Sequence, residues 1–503
     1  MNKIKIYIVV SFSILYSESK INPVDGLPDD RFGQSVLVED SWIFIGANRA
    51  VNGNVNSGSV YVYSHNNDLN NTFHQKIIPS DYSNDQFFGK KIAYDNGWLA
   101  VSAIYDAEHG YKSGAVYLFY FNGSIWEEHS KITAYDAAPY DRFGYSVDIQ
   151  NNQLVVGSIF DDDRGDNSGA VYFYEFSNNN WSIINKISPE FLNSSDLFGY
   201  SVALGAGYLA ISAPQSDLVV SDGGFVNLYH INSNEFIDSG FITPEDLNLY
   251  NNFGNQICID NDFMFITSIY DDGLSINAGS VYVYENIENQ WIYHSQLFAS
   301  DGFLNDNLGV SVSCNEGWVS VGSFDDDNGI DSGSLYLYKL INNNFIEQAK
   351  IISSDGNQYD EFSASNSINN NLLIVGSRLD DDNGNDSGSA YLYKFKGCQD
   401  ISACNYEQDV ILSDNSQCVY PQFGFECNGD CLSIVGECGI CGGNGNNGDA
   451  NSDNLLNIID IVIMVDYIFD SSQVENICIV DLNNNGQLNI TDIVLLIEDI
   501  LAN

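Results

Sequence analysis

The chain has 503 residues, with 68 Asp and Glu against 18 Lys and Arg, for a formal net charge of −50. A field of that sign repels polyphosphate, so nucleic acid and anionic membrane surfaces are excluded as partners. Hydrophobic residues make up 44% of the sequence and include 31 Tyr and 29 Phe, ample material for a packed core.

Residues 1–17 place Lys3 and Lys5 ahead of an apolar run, Ile6-Tyr7-Ile8-Val9-Val10, that continues to Tyr16. This is the plan of a secretory signal peptide, and the run is short for a membrane span. No other stretch is long enough to span, so the expectation is a protein that works outside the cytoplasm, without a membrane span.

From there to residue 397 one phrase returns seven times: an acidic or amide residue, an aromatic-Gly pair, a Ser-Val strand, a Gly/Ala-Ser step and Ser-Gly-Ser-Val-Tyr-Val-Tyr. The repeat glycines are Gly33, Gly89, Gly144, Gly199, Gly254 and Gly309, with Ser363 in the seventh slot, at steps of 54 to 56 residues. A long period filled with short strands predicts a repeat array and not a compact enzyme fold. The third unit reads as four strands, Ser146 to Ile149, Leu154 to Ser158, Ala170 to Tyr174 and Trp181 to Ile187, separated by Gly, Asn and Asp. Four antiparallel strands make one blade, so the fold class is mainly β, a seven-bladed propeller of four-stranded blades over residues 19–397. In Val171-Tyr172-Phe173-Tyr174, Val and Phe fall on one face and both Tyr on the other, as blades stacked face to face require. Trp42, Trp98 and Trp318 follow the repeat glycine at a fixed offset, and Trp126, Trp181 and Trp291 open fourth strands, so all six read as packing residues. The seventh unit stops at Tyr391-Leu392-Tyr393-Lys394 without a fourth strand. Ser19-Lys20-Ile21-Asn22-Pro23 matches the register of Gln75-Lys76-Ile77-Ile78-Pro79, so residues 19–25 are expected to complete blade seven, close the ring and remove its open edges.

These units resemble FG-GAP repeats, which build the seven-bladed heads of integrin alpha chains and occur in secreted bacterial proteins. Integrin-type blades carry a calcium loop between their first two strands. Here that link is a tight turn such as Asp95-Asn96-Gly97, so the integrin calcium site does not carry over. A different acidic loop recurs between second and third strands, with Asp161, Asp163, Asp325, Asp327, Asp331, Asp380, Asp382 and Asp386 as candidate ligands. Clustered carboxylates around a Gly turn suit calcium, and a solvated turn with Asx hydrogen bonds explains them as well. Arg164-Gly165-Asp166 in the first such loop spells an adhesion tripeptide, but Arg merely stands where units six and seven have Asn.

Seven of the ten cysteines, Cys398, Cys404, Cys418, Cys427, Cys431, Cys438 and Cys441, crowd into residues 398–446. An exported module so poor in apolar residues is normally stapled by disulfides, and the segment is similar to a Cys-rich spacer of secreted bacterial proteins. The odd number leaves one thiol free or paired elsewhere, for instance with Cys478. The cysteines around Gly439 offer half a zinc site with no second half. Cys258 and Cys314, on first strands of neighbouring blades, read as buried small residues.

Residues 447–503 hold two segments in one register: Asp449, Asn451, Asp453, Leu455, Asn457 and Asp460, then Asp481, Asn483, Asn485, Gln487, Asn489 and Asp492. Oxygen side chains fall at loop positions 1, 3, 5, 9 and 12, with a backbone carbonyl at 7, the EF-hand spacing for Ca2+. Position 6 is Asn454 in one loop and Gly486 in the other, and position 12 is Asp. Apolar helical runs follow, Ile458 to Phe469 and Ile490 to Leu501. Paired loop-helix units of this kind resemble a type I dockerin, a small α-helical paired EF-hand-like domain. The resemblance implies a cohesin-like partner, read at Ile458-Ile459 and Ile490-Thr491. A module this small is expected to fold on calcium.

The six His occupy unrelated repeat positions, and no nucleophile elbow, paired-His metal motif or phosphate loop appears, so no enzyme activity is expected. The reading is a secreted, calcium-binding adhesion or recognition protein whose propeller takes a protein or glycan ligand and whose tail anchors it. The alternative is a component of an extracellular polysaccharide-degrading complex, binding carbohydrate or hydrolysing O-glycosidic bonds.

Overall fold

The computed structural model describes residues 18–65, 69–232, 235–325, 329–406, 410–421, 427, 448–451, 455–469, 477–483, 485 and 487–502. The leader expected over 1–17 lies outside the described residues. The chain forms two compact units. One runs to Lys396 and takes in Asp409–Ile411, and the other comprises Gly397–Gln408 and Leu412–Asn503.

The first unit is built of seven four-stranded antiparallel sheets. Blade 3 shows the plan, with Phe143–Gln150, Gln153–Ser158, Ala170–Ser177 and Asn180–Ile187 in sequential order. Its first strand starts three residues earlier than the sequence indicates, because the register shift between Phe143 and Ser146 absorbs Gly144 as a bulge and the strand continues beyond it. Blade 7 consists of Phe362–Asn369, Leu372–Ser377 and Ser389–Lys394, completed by Glu18–Ile21 from the other end of the chain. Lys20 pairs with Tyr391, the register expected for ring closure.

Neighbouring blades touch through one repeated contact. Gly114 bridges to Phe143 and Gly169 to Phe198, and the same bridge between Phe32 and Gly388 joins the last blade to the first. Gly169 has φ 84°, and a Cβ there would lie 2.2 Å from the Phe198 carbonyl oxygen, so both backbone conformation and space demand glycine. Deeper in, serine hydroxyls of first strands donate to the next blade's carbonyls: Ser35 to Gly89 at 2.9 Å, Ser146 to Gly199 at 2.6 Å and, across the closure, Ser365 to Gly33 at 2.8 Å.

The faces sort as the alternation predicts. Tyr172 and Tyr174 pack with blade 2 residues Val116 and Leu118, while Val171 and Phe173 pack with Leu209 and Ile211 of blade 4. Fully buried rings such as Phe88 and Phe143 contribute about 2 kcal/mol each by transfer from water. The tryptophans are packing residues: Trp42 meets Trp126, and Trp98 meets Trp181, edge to face at 5.7 and 5.4 Å across blade boundaries.

One reading is corrected. Cys258 and Cys314 are not isolated small residues but form a disulfide, with Cα atoms 6.1 Å apart. First strands line the propeller axis, where blades converge most closely, so residues on adjacent first strands come within bonding reach.

In the second unit, disulfides link Cys398 to Cys418 and Cys404 to Cys427, and no cysteine is free among the described residues. Cys431, Cys438 and Cys441 lie outside them. The tail carries helices α1 (Ile458–Phe469), α2 (Ile477–Val480) and α3 (Ile490–Ala502), packed around Met464, Val480, Ile493 and Leu496. Among the described residues, no helix is long and apolar enough to cross a membrane.

Candidate functional site

The first strands of all seven blades surround a central channel of about 710 Å³. Among the charged groups lining it are Glu39, Lys90, Lys91, Asp148 and Arg378. Asp148 accepts the Leu204 and Ile149 amides, yet burial dominates and raises its carboxyl to about 7.

The acids of the recurring loops are not among the residues lining the channel, and their first carboxylates are already engaged. In blade 3 the buried Tyr172 hydroxyl lies 2.7 Å from Asp136 and 3.0 Å from Asp161. The Lys186 ammonium reaches Asp136, Asp161 and Asp163 at 2.8, 2.8 and 2.7 Å. Burial opposes that charge, but the hydrogen bonds to three carboxylates outweigh it and drive the lysine pKa upward. Burial likewise works against ionised Asp136, and the bonds from Lys186 and Tyr172 outweigh it, so its pKa falls. Blade 7 repeats the set with Tyr391 and with Lys20 reaching Asp355, Asp380 and Asp382; blade 6 repeats it with Tyr336, Lys350, Asp301 and Asp325. Because Asp136, Asp301 and Asp355 follow the fourth strand of the preceding blade, each cluster ties two blades together.

Of the loop acids singled out from sequence, Asp161, Asp163, Asp325, Asp380 and Asp382 therefore meet at a lysine. Asp331 and Asp386 lie in left-handed turns with φ 53° and 50°, where Asn167 stands in blade 3. Asp327 lies outside the described residues. Among the described residues, no trio of acids, histidines or cysteines is arranged as a preformed cation cage. The tyrosine and lysine partners escaped the sequence reading, although Lys20, Lys76, Lys131, Lys186 and Lys350 recur in one register and carried the signal.

The tail loops differ. Asp460 and Asp492, at position 12, are fully buried, and Asp449 and Asp481, at position 1, nearly so. Asp460 accepts the amides of Ala450, Asn451 and Asn457, and Asp492 those of Asn483 and Asn489, so both halves are folded alike. The sequence of neither loop contains a lysine or arginine. The four buried carboxylates are oxygen donors of the kind that could hold a hard divalent cation; the Leu455 side chain is exposed, and its carbonyl, at position 7, accepts the Asn457 side-chain amide at 3.1 Å. Asn451, Asn457, Asn483, Asn485, Gln487 and Asn489 lie along the same loops, while Asp453 lies outside the described residues. Ile458, Ile459 and Ile490 are all more than half exposed.

A closed, seven-bladed ring with a lined axial channel is a recognition or adhesion type of domain. The chain matches the FG-GAP repeat family over residues 16–63, 72–119, 126–174, 238–284, 291–338 and 345–393, more than half its length, and belongs to that family. The first three strands of blade 4, Val202–Gly205, Tyr208–Ala213 and Phe225–Asn232, fall between matched stretches, and with Glu235–Ile242 they still take the common plan. Among curated proteins no relative matches. Among solved structures, the crystal structure of Saccharomyces cerevisiae Sqt1 is similar at 10% identity over 70% of this chain and 82% of that one, with a TM-score of 0.38.

Proposed function

We propose that the protein is a secreted, non-catalytic recognition or adhesion protein, its propeller binding a protein or glycan ligand and its dockerin-like tail anchoring it to a cohesin-like partner through calcium-ordered loops. The observation that carries the anchoring role is the twin set of buried carboxylates, Asp449 with Asp460 and Asp481 with Asp492, in loops whose sequences contain no lysine or arginine. The exposed Ile458, Ile459 and Ile490 beside those loops are the apolar contacts a docked partner would cover. Disulfides in both units suit an oxidising exterior. On this reading the propeller's own acidic loops need no metal, since a lysine ammonium already occupies the place among their carboxylates that a cation would take. Titration of the chelator-stripped full chain with calcium should show uptake at two tail sites, abolished by Asp460→Asn with Asp492→Asn and unaffected by Asp163→Asn. No uptake, or uptake indifferent to the tail pair, refutes the anchoring role.

A further inference from the structure

Only five arginines occur in this acidic chain, and three of them, Arg31, Arg142 and Arg378, converge with Lys90 in a cavity beside the channel, with Arg49 close enough to act on Arg31. They come from four consecutive blades around the ring, 7, 1, 2 and 3. Arg31, Lys90, Arg142 and Arg378 line a cavity of about 190 Å³ with Tyr105 and Tyr145, continuous with the channel through Gln34, Lys90, Tyr145 and Arg378. Arg31 and Arg142 occupy one slot of the repeat, two residues before the glycine, at φ 58° and 54°. That left-handed conformation disfavours a long side chain, and in the other blades the slot holds Phe87, Leu197, Asn252, Asn307 and Glu361.

Acids are outnumbered in this group. Glu361 is engaged by Arg378, 2.5 Å away, Asp386 and Glu361 are the acids that act on Arg31, against the charges of Arg49 and Arg378, and the Nε atoms of Arg31, Arg49 and Arg142 are buried without a hydrogen-bond partner. Aromatic rings hold the guanidinium groups of Arg49 and Arg142. Arg49 lies over Phe87 at 5.3 Å, Phe87 stacks on Tyr105 at 4.4 Å, and Arg142 lies over Tyr105 and Phe160 at 5.3 and 4.5 Å. Stacking uses the face of a guanidinium and leaves its in-plane N–H donors free. Burial above all, then the charges of Arg378, Lys91 and Arg31 set against the single acid Glu361, pushes the Lys90 ammonium down to about 7.

We propose that this pocket binds an oxyanion group, carboxylate, sulfate or phosphate, of a ligand that enters this cavity. In-plane forks from several arginines match the paired oxygens of such a group, and the low-dielectric floor strengthens each charge-assisted bond. The proposal rests on the propeller being the ligand-binding part of the molecule and names the chemistry its ligand must carry.

The test is calorimetric titration of the full chain with sulfate, inorganic phosphate, citrate and an oligogalacturonate, against chloride at equal ionic strength. Saturable binding of at least one oxyanion at millimolar concentration or tighter is expected. Arg142→Gln and, independently, Lys90→Met should each weaken it about tenfold or more while leaving the ligand-free melting temperature unchanged or higher, because removing a crowded charge relieves repulsion. The four titrants distinguish an inorganic ion from a polycarboxylate or an acidic sugar. Absence of saturable binding by all four, or binding indifferent to both substitutions, overturns the proposal. A propeller that captures a macromolecule on its rim yet takes up no oxyanion keeps the proposed function and removes this site.

Discussion

Each blade junction bends twice through left-handed backbone, at residue pairs such as Tyr140 and Arg142, Tyr250 and Asn252, or Asn305 and Asn307. The bends wrap the chain around a buried side chain, for example Asp141, whose carboxylate accepts the Ala138 amide at 2.7 Å, and Asp306, which accepts that of Phe303. A non-glycine residue pays roughly 1 kcal/mol for this conformation, and asparagine tolerates it best. Tyr250, with φ 68° and a largely exposed ring, should therefore gain about 1 kcal/mol on replacement by the asparagine that stands at position 305 in the next unit. Urea denaturation checks it: Tyr250→Asn should raise the unfolding midpoint at unchanged slope. A lower midpoint would mean that the tyrosine ring, and not its backbone, sets the local energy. The recurrence of Asp-aromatic-Gly was legible because it is written locally. The paired strain was not, since residues as different as Tyr, Asn, Asp and Ser fill the outer slot and no single residue type marks it.

At the scale of the element, the informative strand is Glu18–Ile21. It was legible because Lys20 and Ile21 repeat the pattern of Lys76 and Ile77, and it pairs with Ser389–Lys394 in that register. It also buries Ile21 and delivers the Lys20 ammonium to Asp355, Asp380 and Asp382. Deleting residues 18–25 should expose the edge of blade 7 and leave those carboxylates without their cation, at a cost on the order of 3–5 kcal/mol. The propeller's melting temperature should drop, and Lys20→Met alone should reproduce a large share of the loss. An unchanged melting temperature in the deletion would show that the ring is closed by other contacts. The clusters themselves were half legible: the acidic loops stood out, but which cation meets them depends on a fourth strand and on the preceding blade's exit loop. The disulfide between Cys258 and Cys314 was hidden for the same reason, because the approach of adjacent first strands belongs to the ring and not to any one repeat.

Over the whole molecule the acids fall into two groups that pull stability in opposite directions with pH. Burial holds the carboxyls of Asp30, Asp141 and Asp360 up at about 6 and that of Asp148 at about 7, above their unfolded value of 3.8. Between those values the folded state binds more protons than the unfolded one, so stability falls as pH rises from about 4 to about 7. Asp25, Asp81, Asp136, Asp301 and Asp355 are exposed and only partly desolvated, and bonds from lysine and tyrosine outweigh that desolvation and depress their pKa. Their contribution is complete above pH 3.8 and is lost as pH falls through their folded values. With a net charge of −50, partial protonation also eases self-repulsion across the same upper window. The propeller's melting temperature should therefore peak in mildly acidic solution, between about pH 4 and 6, and decline toward pH 8. High salt should flatten only the repulsive part of that decline. Asp30→Asn, Asp141→Asn and Asp360→Asn combined should raise the melting temperature at pH 8 and change it least near pH 4, where the native carboxyls are protonated in the folded state and the cost of burying their charge is not incurred. Calorimetric scans across this range decide the matter: a maximum at or above pH 7 in the wild-type chain, or a triple variant equally shifted at pH 4 and 8, would show that these buried acids do not control the balance.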